Sequence, residues 1–419
     1  MSVTSALYTG ISGLNANGEA MSVIGNNISN VNTIGFKQGR MLFSDVLSST
    51  ISGGSQIGRG VQIQTVENQF TQGSFESTES GTDLAIQGDS FFVVQNTSGR
   101  YYTRAGAFSF NKDKTLVNPE GYQVMGYGII PSSGLADGVL KPIDLTNFAT
   151  TPPKQTSNVK FVVNLDSTQT TPALAWDPAN PVATSNFSTS LSVYDSQGNA
   201  HTATAYFRKT ADNTWDWHVI LPDAVAGTPG SSTSPIDGTL TFDETGALTG
   251  QTPLASAAQN ITFTGGVAAP QPIFFDLGVG ATTQYASASV VSSQTQDGYY
   301  QGTLTKVTID DKGYVNGVYS NGQLQKLYQV ALAKFSSTAG LSKAGGTLFE
   351  ETLESGQPLF SDASAPGVGK ILANSLEQSN VDMAAQFVKM ITTQRGYSAN
   401  SKTITTADEM LQEVLSLKR

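Results

Sequence analysis

Two segments at opposite ends of the chain carry helical patterns that neither can sustain alone, and this limits the possible folds more than any other feature. Across residues 1–31, Leu7, Ile11, Leu14, Met21, Ile24, Ile28 and Val31 recur mostly at spacings of three, four or seven, which puts them on one helical face. Asn15, Ser22, Asn26 and Ser29 form the opposite face. Glu19 is the only charged side chain among residues 1–36, and Gly10, Gly13, Gly18 and Gly25 interrupt the pattern, each costing ~0.8–1 kcal/mol against alanine. At the far end, Met383, Met390, Tyr397, Ile404 and Leu411 recur every seventh residue, a period that drives a left-handed supercoil with a partner helix. Phe387, Gln394, Ser401, Asp408 and Leu415 are the expected companion stripe. Its polar middle makes the face narrow, and the threonines around it, with Gly396, lower the helicity further. Asn380 or Ser379 is the expected N-cap, with Asp382 near the positive end of the dipole. Each segment alone reads as an ordinary core helix. Together, at opposite termini, they read as helices that fold on each other and on neighbouring copies.

Between them the texture is β. "DLAIQGDSFFVVQ", "YYTRAGAFSF", "TLVNPEGYQVMGYG" and "TLTKVTIDDKGYVNGVYSNGQLQKLYQVALAKF" are short alternating or apolar runs punctuated by Gly, Asn-Gly and Pro-Glu-Gly turns. From about residue 144 to 280 the composition shifts to Thr, Ser, Ala and Pro, with strand pairs of its own, as in "TSLSVYDSQGNAHTATAYFRK". The expected organisation is a helical domain of residues 1–31 and 380–419, extended connectors at 32–70 and 361–379, a core β domain of 71–145 and 290–360, and an outer β domain, 146–289, inserted into it. The fold class is mixed and mainly β, with terminal α-helices paired as a coiled coil and two stacked β domains.

Charged residues are 13% of the 419, roughly half the ~25% of an ordinary soluble domain. The net charge of −10 argues against nucleic-acid binding, which rests on Lys and Arg neutralising phosphates. With no cysteine, disulfides, thiolate metal sites and Cys nucleophiles are excluded. A basic n-region followed by an apolar h-region is not visible, and no run of ~20 apolar residues could span a bilayer. No membrane insertion and no cleaved signal peptide are expected.

Motifs for chemistry fall short. His201 and His218 lie near Asp195 and Asp216 in the inserted segment, where a two-His-one-carboxylate site is conceivable but lacks ligand spacing on one element; strand histidines with ordinary partners are the simpler reading. There is no G-x-S-x-G elbow. "PGVGKI" at 366–371 has Ser364 where a phosphate loop needs Gly, and Ile371 where it needs Ser or Thr. "DDKGYVNG" and "DSQGNAH" lack the oxygen-ligand series and closing Glu of a calcium loop. No catalytic residue, metal or cofactor is expected.

"SGLNANGEAMSVIGNNISNVNTIGFK" resembles the N-terminal signature of the bacterial flagellar axial proteins of rod and hook, and "LEQSNVDMAAQFVKMITTQRGYSANSKTITTADEMLQEVLSLKR" resembles their shared C-terminal segment. "TDLAIQGDSFFVV", "YTRAGAFSFNKDKTLVNPEGYQVMG" and "LYQVALAKF" are similar to the core β domain of the same family. The resemblance covers roughly residues 1–145 and 290–419, and length and insertion resemble the hook members. It implies a non-enzymatic subunit of a short curved tube that joins rod to filament and passes torque around a bend as a universal joint. It further implies terminal helices around a central channel, with β domains outside them. The implied partners are the chain itself, as a helical homopolymer, the rod at the proximal end, hook cap and hook–filament junction proteins at the distal end, and the flagellar type III export apparatus. The implied location is the flagellum, outside the cell. A distal rod protein of the same family is the alternative, and a secreted β-rich hydrolase using His201 or His218 a remote one.

In such a tube every side chain is repeated by each subunit, so ionised groups on the inner face would stack on copies of themselves. Amides escape that cost, because Asn26, Asn27, Asn30 and Asn32 can each donate and accept. Asn30 and Asn32 also suit a helix end, with Gly35 and Phe36 in the turn after it. Gly53, Gly54, Gly58 and Gly60, in "SGGSQIGRG", are the expected hinges.

Overall fold

The computed structural model describes residues 3–46, 58–131, 133–265, 270–363, 365 and 367–416. The chain divides into two compact units, one of residues 1–148, 306–318 and 324–419, the other of residues 149–305 and 319–323. The second is therefore an insertion in the sequence of the first. Mainly β, the molecule has one long helix near each terminus, α1 (Val3–Ser29) and α2 (Met383–Ser416). Among the described residues no helix is long and apolar enough to cross a membrane.

In the first unit, strands Leu324–Lys334, Gln123–Ile129, Phe91–Gln95, Arg100–Thr103, Leu348–Glu350 and Ser342–Gly345 lie side by side in that order, with antiparallel ladders throughout. "FFVV" is a continuous apolar run because Phe91, Phe92, Val93 and Val94 are all fully buried, both faces of the strand being covered. On one side Phe91, Val93, Tyr102, Met125, Ala333, Phe335, Leu341 and Phe349 form a single core, with Phe70 set edge-on to Phe91 at 5.4 Å.

The stretches expected to be plain connectors carry ladders of their own. β1 (Gly39–Asp45) and β2 (Val61–Asn68) form an antiparallel hairpin with a bulge between Leu42 and Phe43. The C-terminal stretch supplies strands Lys370–Ala373 and Ser375–Glu377, which pair antiparallel with Leu84–Gln87 and Phe75–Ser77. The alternation in "VQIQTVEN" is a strand signal, but it lies next to a Gly/Ser run whose composition speaks for an extended linker.

In the second unit, a five-stranded antiparallel sheet runs Phe187–Tyr194, Ala200–Ala211, Thr214–Ile220, Ile236–Phe242, Leu248–Thr252. A four-stranded sheet runs Gln259–Ile261, Gln271–Asp276, Asn158–Asn164, Val290–Gln296, its middle pair parallel. Inward residues of both sheets make one core around Trp215, Trp217, Phe161 and Phe207. The two core indoles find acceptors, Gln284 Oε1 at 2.9 Å for Trp215 and the Thr252 carbonyl at 3.0 Å for Trp217.

Candidate assembly surfaces

The two helices run antiparallel and meet through small side chains. Facing positions follow from what a Cβ would strike: at Gly10, Ile404 Cγ1 at 2.8 Å; at Gly13, Asn400 Nδ2 at 2.5 Å; at Gly396, Asn17 Oδ1 at 3.1 Å. Gly10 and Gly13, costly to a lone helix, are where α2 comes closest. Ala16, Ala20, Ile24 and Asn27 of α1 are buried, as are Gln386 and Ala407 of α2. The stripe containing Met390, Ile404 and Leu411 is half-buried along this seam.

The expected companion stripe is corrected. Gln386, Thr393, Asn400 and Ala407, one residue earlier in each heptad, are the less exposed positions, whereas Phe387 and Leu415 are 46% and 69% exposed. Where the helices approach over glycine and alanine, the short side chains of Thr393, Asn400 and Ala407 fit beside the larger apolar stripe. Leu7, Leu14, Met21 and Ile28 are half-buried, while Ile11, Met383 and Tyr397 are exposed. The α2 N-cap is likewise corrected to Asp382, whose Oδ1 accepts the amides of Ala384 and Ala385 at 2.9 and 3.1 Å.

Asn380 does other work. Its Oδ1 accepts the Gln38 amide at 2.8 Å, and its Nδ2 donates to the Gln69 carbonyl and Thr71 Oγ1 at 2.8 and 2.9 Å. Asn27, 1% exposed, pairs like a strand residue with Gly39, donating to its carbonyl at 2.8 Å and accepting its amide at 2.9 Å. Its amide is thus spent inside the chain. Asn26 and Asn32 are exposed, and Asn30 caps the end of α1, bonding the Asn26 carbonyl at 2.9 Å and Thr33 Oγ1 at 3.0 Å. Gly35 has φ +68° and gives its amide to the Glu377 carbonyl at 2.8 Å. A Cβ there would lie 2.7 Å from the Arg104 carbonyl carbon, so both conformation and space demand glycine. Phe36 closes the turn through the Thr33 carbonyl at 3.2 Å.

Beside this turn sits a buried ion cluster. Lys37 Nζ is 2.6 Å from Glu377 Oε1 and donates to the Thr71 carbonyl at 2.7 Å; Arg104 Nη1 is 3.5 Å from Glu377 Oε2. The Gly73 amide adds a bond to Glu377 Oε1 at 2.9 Å. Burial pushes the Lys37 ammonium below its ordinary range against the pull of Glu377, and acts on Arg104 in the same direction. Residue patterns alone do not single out these three side chains. A signal does exist: each is the charge inside an otherwise uncharged motif stretch, "NTIGFK", "YTRAG" and "NSLEQSN".

Of the hinge candidates, Gly53 and Gly54 lie outside the described residues. Gly58 has open space around it, whereas Gly60, at φ +108°, lies against Ser12 of α1. The histidines are separate. His201 lies between Asp195 and Asp223, 3.3 and 3.2 Å from their Oδ2 atoms, and stacks on Phe263. His218 meets Asp237 Oδ1 at 2.5 Å and stacks on Trp176. His218 pairs across the ladder with Tyr206, five residues from His201, a separation of about 16 Å that ends on the opposite face of the sheet. The two cannot share an ion.

Residues 7–37 match the flagella basal body rod protein family, 85–160 the flagellar hook protein FlgE/F/G D1 domain, 164–299 the flagellar basal body protein FlaE D2 domain and 372–417 the flagellar basal body rod FlgEFG protein C-terminal family. The chain is 37% identical to the flagellar hook protein FlgE of Borreliella burgdorferi, with 99% of each chain covered. It is 34% identical to flagellar hook protein FlgE of Escherichia coli, covering 99% of this chain and 100% of the relative. In fold it is similar to the crystal structure of Helicobacter pylori flagellar hook protein FlgE2, with a TM-score of 0.51 at 16% identity over 72% of this chain and 100% of that one.

Proposed function

Because the chain belongs to the flagellar hook protein family, we infer that it is a structural subunit of the flagellar hook, assembling with copies of itself into a tube that carries motor torque from rod to filament. The observation that carries this reading is the apolar surface left over after the terminal helices have paired. Phe387 is 46% exposed, Val388 62% and Ile391 51%, an apolar patch within one turn of α2 that the pairing with α1 leaves uncovered. Neighbouring copies cover it.

On this reading the helices line the inner layer and the domain of residues 146–289 forms the outer one. The rod binds at the proximal end, cap and junction proteins at the distal end, and the flagellar type III apparatus exports the chain without a cleaved signal. A chain without cysteine suits that route, since a disulfide would obstruct threading. Removing residues 1–30 or 380–419 should abolish polymerisation. Electron microscopy of the purified full chain tests the reading: curved tubes are expected, straight ones would indicate a rod protein, and their absence under all assembly conditions would refute it.

A further inference from the structure

Within the helix-bearing unit, the turn at Gly35 and the hairpin tip at residues 345–347 border a cavity of about 430 Å³. Ile34, Phe36, Leu348 and Phe349 give it an apolar lining, and its charged lining residues are Lys343, Glu120 and Lys37, the last already paired with Glu377. Lys343 Nζ lies 5.5 Å from the centre of the Phe36 ring. Partial burial pushes this ammonium below its ordinary range, with no carboxylate opposing the shift.

At the other end of strand Leu348–Glu350 the chain makes a tight turn. Thr352 Oγ1 donates to the Gly340 carbonyl at 2.6 Å and accepts the amides of Glu354 and Ser355 at 3.1 and 3.2 Å, while Ser355 Oγ accepts the Thr352 amide at 2.9 Å. Leu353, at the tip, is fully exposed, and Glu350, Glu351 and Glu354 surround it in sequence. One exposed leucine is ordinary. An exposed leucine on a fixed turn among carboxylates is the complement of an apolar cavity lined by an ammonium that has no carboxylate partner among the described residues, and it loses little freedom on docking. Cavity and tip are separated by at most ~20 Å of extended chain, from Thr347 to Leu353. They are different surfaces of one unit, so joining them between copies gives a heterologous contact, the kind that propagates as an open helix.

We propose that Leu353 of one copy seats in the cavity between Phe36 and Phe349 of the next, with Glu354 of the first paired to Lys343 of the second. The contact rests on the subunit reading above and gives it a head-to-tail element. Glu120 carries the opposing sign, so Glu120→Gln should strengthen assembly.

The absence of cysteine allows a direct test. In tubes assembled from the full chain carrying Leu353→Cys and Pro119→Cys, the latter in the cavity lining, oxidation should join copies into a ladder of covalent multimers, and neither single variant should give one. Tubes without the ladder overturn the contact and leave the subunit reading standing. A wild-type chain that forms no tubes overturns that reading instead. Should the double-cysteine chain not assemble, charge reversal decides. Lys343→Glu should raise the critical concentration about tenfold or more, and Glu354→Lys in the same chain should restore it; no loss, or no restoration, overturns the pairing.

Discussion

Glu377 is a carboxylate shared by a lysine and an arginine, with all three side chains buried and Asp89 a more distant negative charge acting on Arg104. Among the described residues Glu377 is the one carboxylate bonded in this cluster, so Glu377→Gln would leave Lys37 and Arg104 with only the more distant Asp89 to offset them. We expect that change to cost about 3–5 kcal/mol, read from the urea midpoint of the far-UV circular dichroism transition. Lys37→Met should cost less, because Arg104 still balances Glu377. In the inserted unit the sensitive groups are aspartates. Burial alone would raise Asp297, but the amides of Asn158 and Ser157 and the Asn158 side chain outweigh it and hold the carboxyl below its ordinary range. Asp195 is lowered likewise, against its burial, by Asn199, His201 and the Gln197 amide. A folded value below the unfolded one, about 4, means the folded state binds the proton less readily. That stability is complete above about pH 4 and is lost as pH falls through the lower folded values. Trp176, Trp215 and Trp217 are the three tryptophans of the chain and all lie in this unit, so tryptophan fluorescence of the full protein isolates its transition. The midpoint temperature should hold steady from pH 7 to 5 and drop below about 4, less steeply in Asp297→Asn. The aspartate roles are hidden in the sequence, because a turn aspartate and a solvated one look alike until their amide partners are placed.

The helix pair shows what pattern alone can and cannot convey. The stripe of Met390, Ile404 and Leu411 is legible because apolar residues at a fixed seven-residue period mark a helical face that must be buried. The facing stripe is not, since Gln386, Thr393, Asn400 and Ala407 are the residue types periodicity discounts. Their use depends on how closely α1 approaches, a property of Gly10 and Gly13 on a different segment. Gly13→Leu should therefore wedge the helices apart and block polymerisation while both β units stay folded. Intact tubes from that variant would contradict the seam. Ile404→Asp should act the same way. The helices should also depend on assembly, because the glycines of α1 are offset by no ion pair and the seam of α2 is half polar. Amide exchange should find residues 3–29 and 383–416 weakly protected in the dilute chain and strongly protected in the polymer. Strong protection in both states would refute this.

At the scale of the whole chain, the inserted unit is visible as a change of composition, and its strands as turn-bounded alternation. Its boundaries are not, because Ala149–Thr305 begins and ends in strands that look like those on either side. We expect replacement of residues 146–289 by a short Gly/Ser linker to leave polymers that form but are straight, seen by electron microscopy. Retained curvature would count against an outer, shape-setting role. The buried cluster has a consequence of another kind. Lys37 and Glu377 are 340 residues apart, so a chain emerging from its N-terminus must deliver nine-tenths of its length before the anion arrives. Until then Lys37 and Arg104 lack the carboxylate that bonds them both, and a product broken off anywhere upstream never acquires it. The joint thus acts as a receipt for completeness: a chain ended before residue 377 lacks the carboxylate that both cations bond in the folded protein.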